Sequence, residues 1–123
     1  MDLYFIYYNI IMMIKIIFKF KNSINGIKQG LKDNSLKAEF LWLFVGTLVL
    51  YFVDVDITKK LFGIFLLLLL LVVEMMNTAI EMLCNKITTD YDVDIKNIKD
   101  VASGAVLILL TIQLLFVIYL ICF

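Results

Sequence analysis

The feature that most constrains this chain is an apolar run that continues without a break into charged residues. Residues 61–73 read LFGIFLLLLLLVV, and residues 74–81, EMMNTAIE, follow directly as good helix formers. At helical spacing Glu74, Asn77 and Glu81 share one face, with the two carboxylates about 10 Å apart along the axis. Carboxylates at membrane depth are costly and by default functional, so this face is a candidate site. The alternative is a polar seam that only holds helices together.

The composition indicates an integral membrane protein with a single domain. Of the 123 residues 63% are hydrophobic, and the mean hydropathy of +1.01 lies well above the soluble norm. The chain has no histidine, which is the usual acid–base group at neutral pH. Its two cysteines, Cys84 and Cys122, indicate neither a disulfide framework nor a zinc site. The net charge is zero, and no nucleic-acid partner is expected.

The hydropathy pattern predicts an all-α membrane protein with three transmembrane helices that follow an amphipathic surface helix. The predicted spans are residues 36–53, 61–83 and 101–121. Residues 1–34 are predicted to form an interfacial segment and the surface helix, with lysines that reach the membrane surface. Residues 85–100 are predicted to form a polar cytoplasmic loop of mixed charge, long enough to present ligands to water.

The first residues of the chain do not have the pattern of a signal peptide. Asp2 stands where positive charge is expected, and no small-residue cleavage site follows the apolar stretch. Met12 and Met13 are alternative start positions. We therefore keep open the hypothesis that residues 1–11 are absent from the native protein, which N-terminal mass spectrometry would test.

The distribution of lysines predicts the orientation of the chain in the membrane. From Lys15 to Lys37 there are six lysines and one acid, Asp33, so the positive-inside rule places the N-terminus in the cytoplasm. Three spans then return residues 85–100 to the same side. The charges of residues 54–60 nearly cancel, as suits an external loop.

Three groups of polar residues are therefore expected to meet at the inner membrane surface, and together they suit phosphoryl transfer. They are the carboxylate face of the second span, the loop of residues 85–100 and the surface helix with Asp33. Magnesium takes one or two carboxylates together with phosphate oxygens, and the transfer needs a base for the hydroxyl proton. Glu74, the deeper carboxylate, fits the base, and Glu81 fits the metal. No GxxxxGK(S/T) loop is present, which excludes a P-loop kinase.

The other polar residues each have a purely structural interpretation as well. Lys99 and Asp100, beside the third span, are placed as interfacial anchors would be. Asp90 and Asp92 suit a solvated turn, and Ser103 suits close packing of helices.

Two motifs resemble one known family over most of the chain. EMMNTAIE, followed by KDVASGAVL at residues 99–107, is similar to the hallmark of the small prokaryotic diacylglycerol kinases and undecaprenol kinases. That hallmark is E-x-x-N-S/T-A-I/V-E, a short acidic loop and K-D-x-x-A/S-G/A-A-V, and the resemblance covers roughly residue 23 to the C-terminus. It implies a homotrimer in the prokaryotic inner membrane, with active sites shared between neighbours. It also implies that ATP with Mg²⁺ binds at the cytoplasmic surface, and that a lipid alcohol enters from the bilayer.

The resemblance implies a role for each matching residue. Glu74 looks like the general base, Asn77 like its positioning partner and Glu81 like a metal ligand. The residues that correspond to nucleotide contacts are Asp90, Tyr91, Asp92, Lys99 and Asp100. In the loop among them the family more often has a Glu-Tyr/Phe-His run.

Further matches concern the second metal ligand and the lipid. KDNSLKAE at residues 32–39 stands where the family usually has N/K-E-x-x-F-R/K-x-E, whose first Glu is the second metal ligand. By this comparison Asp33 takes that role, and Glu39 matches the later acid and is assigned to the lipid. Ser103 corresponds to a lipid-contacting serine. Asp54 lies in FVDVDIT, which resembles the LDVD turn of the diacylglycerol kinases and is likewise assigned to the lipid.

The two motifs disagree about the lipid alcohol. The LDVD-like turn favours diacylglycerol, whereas KDVASGAVL is closer to the undecaprenol kinases. Because the turn faces the lipid, we expect diacylglycerol, with undecaprenol as the alternative. Two hypotheses come from other classes. A proton-coupled transporter using Glu74 leaves Lys99 and Asp100 unexplained, and a helix-packing subunit predicts that replacing Glu74 by glutamine loses nothing.

Overall fold

The computed structural model describes residues 3–122, and these form four α-helices without a strand. The helices are α1 (Leu3–Gly30), α2 (Asn34–Phe52), α3 (Ile57–Ile87) and α4 (Val93–Cys122). The chain divides into two compact units. The first unit ends at Lys32 and contains α1, and the second begins at Asp33 and contains α2, α3 and α4.

The first unit is one continuous helix. None of its described side chains is buried. Near either end a polar side chain bonds back to the carbonyl four residues earlier, from Asn9 at 2.7 Å and from Ser23 at 3.0 Å. α1 thus runs without a break through the predicted interfacial segment and most of the predicted surface helix. The chain has no proline to break the helix, and Gly26, inside α1, lowers helix propensity without ending it.

The second unit is built around α3, which packs against both α2 and α4. The core consists of buried leucines from all three helices, among them Leu50 of α2, Leu70 of α3 and Leu109 of α4. The end of α2 meets the start of α3, where the Lys60 ammonium donates to the Tyr51 carbonyl at 3.1 Å. The three helices are therefore antiparallel in sequence order.

The structure confirms the prediction of three helices long and apolar enough to cross a membrane, namely α2, α3 and α4. The helices are nevertheless longer than two of the predicted spans. α3 extends beyond residues 61–83 at both ends, and α4 begins at Val93 instead of residue 101, so residues 88–92 are all that remains of the predicted loop over 85–100. Hydropathy detects only the apolar part of a helix, whereas hydrogen bonding continues into its polar ends.

Aspartates start all three helices of the second unit, α2 with Asp33, α3 with Asp56 and α4 with Asp92. Asp92 accepts hydrogen bonds from the N–H groups of Asp94 and Ile95 at 2.9 and 3.0 Å. Asp56 accepts one from the Thr58 N–H at 2.8 Å. Hydrogen bonds from the side chain and backbone of Thr58 lower the pKa of Asp56 below its ordinary value. The Asp56 cap therefore contributes stability above the unfolded pKa of about 3.9, and this contribution is lost as the pH falls through the folded pKa.

One polar side chain ties the three helices together inside the apolar bundle. The amide of Gln113 on α4 donates to the Leu66 carbonyl of α3 at 3.0 Å and accepts from the Trp42 indole of α2 at 3.4 Å. Gln113 is buried, and both polar atoms of its amide are thereby paired, as an apolar surrounding requires.

Two glycines of the bundle provide a matched test of this packing. A Cβ at Gly63 would lie 2.7 Å from Leu50 Cδ1 and 3.0 Å from Phe116 Cε1, whereas nothing lies within 4 Å of a Cβ at Gly104. We expect Gly63→Leu to lower the free energy of unfolding by ~2 kcal/mol relative to Gly104→Leu, because only the first overpacks a helix contact. Unfolding by SDS in mixed micelles, followed by circular dichroism, measures the difference. Equal stability of the two variants would contradict this packing.

Candidate active site

Glu74 is a buried carboxylate held by the start of a neighbouring helix. Its side chain is 7% exposed and accepts a hydrogen bond from the Ser35 hydroxyl, in the first turn of α2. Leu36, next to Ser35, is fully buried and anchors that turn. The Glu74 carboxylate thus contacts the first turn of α2, where the backbone N–H groups of the helix begin.

The Ser35 contact also defines the level of Glu74 in the bundle. α2 begins beside Glu74 and, at ~1.5 Å per residue, is just long enough to cross a hydrocarbon core of about 30 Å. Beyond Glu74, α3 continues to Ile87 for about 20 Å more. Glu74 therefore lies level with one end of α2, and the last turns of α3 extend past that end.

Asn77 and Glu81 follow Glu74 on the same face of α3. The Asn77 amide nitrogen lies 3.5 Å from Glu81 Oε1, a long hydrogen bond. The amide oxygen of Asn77 is buried and has no hydrogen-bond partner among the described residues. A buried unpaired acceptor is costly, so the Asn77 oxygen is available for a donor or a cation that reaches this face.

A cleft of about 390 Å³ lies where α3 turns into α4. It is lined by Asn85, Thr88, Thr89, Asp90, Tyr91, Asp92, Ile95, Lys96, Lys99 and Asp100. All five residues that the sequence assigned to the nucleotide are among them. The structure therefore brings these residues together around one cleft.

The polar face of α3 leads into this cleft. Asn85 follows Glu81 by one helical turn, and its side-chain oxygen accepts from the Lys99 ammonium of α4 at 2.6 Å. Lys96 forms an exposed ion pair with Asp100 one turn further along α4. The Lys99 ammonium is thus held between α4 and the carboxylate-bearing face of α3.

Two of the predicted site acids act as helix caps in this structure. Asp92 caps the start of α4. Asp33 Oδ1 accepts from the N–H groups of Ser35 at 2.8 Å and Leu36 at 3.4 Å. Asp33 is linked to the site through Ser35, and its second carboxylate oxygen takes no part in the cap.

The residues assigned to the lipid are distributed unevenly. Glu39 of α2 is half-buried and close enough to Glu74 for the two carboxylates to interact electrostatically. The Ser103 hydroxyl donates to the Asp100 carbonyl of its own helix at 3.0 Å. Asp54 is exposed at the opposite end of α3, about 25 Å of helix from Glu74. Of the two acids in this set, Glu39 and not Asp54 thus lies close to Glu74.

The oxygen atoms of this face fit magnesium, although no preformed metal cluster exists. In the part of the chain that the structure describes, no three His, Cys, Asp or Glu side chains are grouped to hold a metal ion. Magnesium does not need such a group, because it is commonly held by one or two carboxylates together with phosphates and water. The Glu81 carboxylate and the unpaired Asn77 oxygen are the neighbouring donors.

Three residues of the site were missed by sequence reasoning: Ser35, Asn85 and Lys96. Asn85 lies four residues after Glu81, and Lys96 lies four residues before Asp100, so helical periodicity could have placed both. The contact of Ser35 with Glu74 joins residues that are far apart in the chain, so no local sequence pattern predicts it.

Comparison with known proteins gives one result that covers most of the chain. A family model described as prokaryotic diacylglycerol kinase matches residues 21–122. No curated protein matches the chain significantly.

Substitutions at Asp33 separate its role as a cap from a role of its charge. We expect Asp33→Ala to lower the free energy of unfolding by about 1 kcal/mol, because the first N–H groups of α2 lose their acceptor. Asparagine caps as well as aspartate, so Asp33→Asn should leave stability unchanged. Thermal unfolding in detergent measures both variants. If asparagine is as harmful as alanine, the charge of Asp33, and not its cap, stabilises the fold.

Proposed function

The chain belongs to the prokaryotic diacylglycerol kinase family, and on this basis we propose that it is an ATP-dependent lipid kinase that converts diacylglycerol to phosphatidic acid. The observation that carries the proposal is the continuous polar face of α3, which runs from the buried Glu74 carboxylate to the cleft beside Lys99. Transfer of a phosphoryl group to an alcohol needs a base and a nucleotide site in line with each other. This face offers both.

The level of Glu74 favours a lipid as the acceptor. If α2 crosses the hydrocarbon core, Glu74 lies at one membrane surface, where the free hydroxyl of a diacylglycerol resides. The turns of α3 and α4 beyond that level hold the cleft in the aqueous phase, where ATP is available. The charge pattern of the chain places this surface on the cytoplasmic side.

In the proposed reaction Glu74 accepts the proton of the lipid hydroxyl, whose oxygen attacks the γ-phosphorus. The bond from that phosphorus to the β-phosphate oxygen breaks, and ADP leaves. Binding both substrates along one helix face supplies orientation, which is a large part of the rate enhancement in such transfers. Asn77 lies one turn from Glu74 and contributes a buried polar group beside the reacting atoms.

Positive charge at the cleft balances the phosphates. The Lys99 ammonium contacts Asn85, one turn beyond Glu81, and is placed to pair with a phosphate oxygen. Magnesium, when bound with ATP, would further neutralise the phosphates. Glu81, Asn77 and the free oxygen of Asp33 are the groups that would hold it.

We extend the proposal to a homotrimer with active sites shared between neighbours, as the family implies. Beyond the level of Glu74, α3 exposes large apolar side chains, among them Met82, Leu83 and Ile87. Such a surface is unfavourable in water and is typical of an interface. Contacts with a second copy would cover it.

Replacement of the proposed base provides the central test. Glu74→Gln keeps the shape of the side chain and its ability to accept from Ser35, so we expect a folded protein whose kcat falls by roughly 10²-fold or more. ATP-dependent phosphorylation is measured in mixed micelles, with diacylglycerol and undecaprenol offered in parallel. The control is Asp94→Asn, an exposed acid of α4 outside the cleft. Folded wild-type protein that phosphorylates neither lipid would refute the kinase proposal.

The role of Lys99 predicts a selective effect on the nucleotide. We expect Lys99→Met to raise KM for ATP about tenfold, because a charge-assisted contact to a phosphate is lost. The KM for the lipid should not change. Lys60→Met removes a lysine at the opposite end of the bundle and is the matched control. An equal rise of both KM values would instead indicate a structural role for Lys99.

A further inference from the structure

The contact between α2 and α3 gives Ser35 a function that the sequence did not indicate. We infer that Ser35 is a positioning residue, which orients the Glu74 carboxylate for proton transfer from the lipid alcohol. This inference rests on the proposed function. Its basis is the hydrogen bond from the Ser35 hydroxyl to Glu74 Oε1, the one hydrogen bond that the described residues make to that carboxylate.

The backbone turn that carries the Ser35 hydroxyl is held in place by its surroundings. The backbone N–H of Ser35 donates to Asp33 Oδ1 at 2.8 Å, and the neighbouring Leu36 side chain is 1% exposed. Both contacts act on the turn that carries the hydroxyl, and neither involves the hydroxyl. A donor on a rigid turn restricts the rotation of a glutamate side chain that would otherwise sample several rotamers.

A second carboxylate lies near Glu74. Glu39, on the same helix as Ser35, is close enough to Glu74 for the two side chains to interact electrostatically, and like charges repel each other. The hydrogen bond from the Ser35 hydroxyl holds the Glu74 side chain on this side of the bundle.

The arrangement leaves one carboxylate oxygen for the substrate. Ser35 occupies Oε1, so Oε2 of Glu74 remains to accept the proton of the lipid hydroxyl. A base fixed by a third group is a common arrangement in enzymes, because it fixes the orientation of the lone pair that takes the proton.

Removal of the hydroxyl should therefore affect turnover and not nucleotide binding. We expect Ser35→Ala to lower kcat for diacylglycerol phosphorylation about tenfold in mixed micelles, with KM for ATP unchanged. The variant should fold, because Asp33 caps the backbone N–H groups of this turn and does not need the Ser35 side chain. Ser35→Thr restores the hydroxyl and should recover most of the rate. Asn34→Ala is the matched control and should behave as wild type. Asn34 lies in the same turn, and its side chain accepts a hydrogen bond from Lys37.

A double-mutant cycle distinguishes positioning from a general structural effect. If Ser35 acts through Glu74, Ser35→Ala should lower the residual rate of Glu74→Gln no further. An equal loss in both backgrounds would overturn the inference. So would a lower KM for the lipid at unchanged kcat in Ser35→Ala, since Ser35 would then merely occupy the place of the alcohol. Wild-type protein without lipid kinase activity refutes the proposed function itself, whereas an active wild type with a fully active Ser35→Ala refutes only the positioning role.

Discussion

The site depends on the burial of one carboxylate inside an apolar bundle. A buried charge is unstable unless hydrogen bonds or opposite charge compensate for the lost water. Here the Ser35 hydroxyl, in the first turn of α2, donates the hydrogen bond that Glu74 accepts. The Asp33 cap and the buried Leu36 side chain hold this turn against α3. The beginning of α2 is therefore part of the site and not only the start of a span.

The unequal lengths of the helices divide the second unit into two functional levels. α2 ends its contact with α3 at Glu74, whereas α3 and α4 continue together and enclose the cleft at their junction. In the proposed orientation this helix face connects the level of the lipid headgroups with the aqueous phase. The Gln113 amide, paired with both neighbouring helices, supports the packing nearer the other end.

The sequence alone predicted the class of the fold and named most residues of the candidate site. Long apolar runs require helices, because a chain in lipid must satisfy its backbone hydrogen bonds internally. Helical periodicity placed Glu74, Asn77 and Glu81 on one face, and the structure shows them there. The family resemblance was confirmed, and the five residues that it assigned to the nucleotide line one cleft. The helix ends were predicted less well, since caps such as Asp92 extend helices past the apolar region that hydropathy detects.

The sequence by itself determined that this chain is helical, apolar and equipped with a carboxylate face next to a lysine-bearing segment. These features depend on residue type and on spacing along one helix, and both can be read from the chain. Only the tertiary structure decided what touches Glu74 and how Asp33 is used. It also decided that Asp54 lies far from Glu74, while Glu39 lies near it. The physical reason is that such contacts depend on which helices pack against each other and at what level. That packing joins segments far apart in the chain, and no local sequence pattern encodes it.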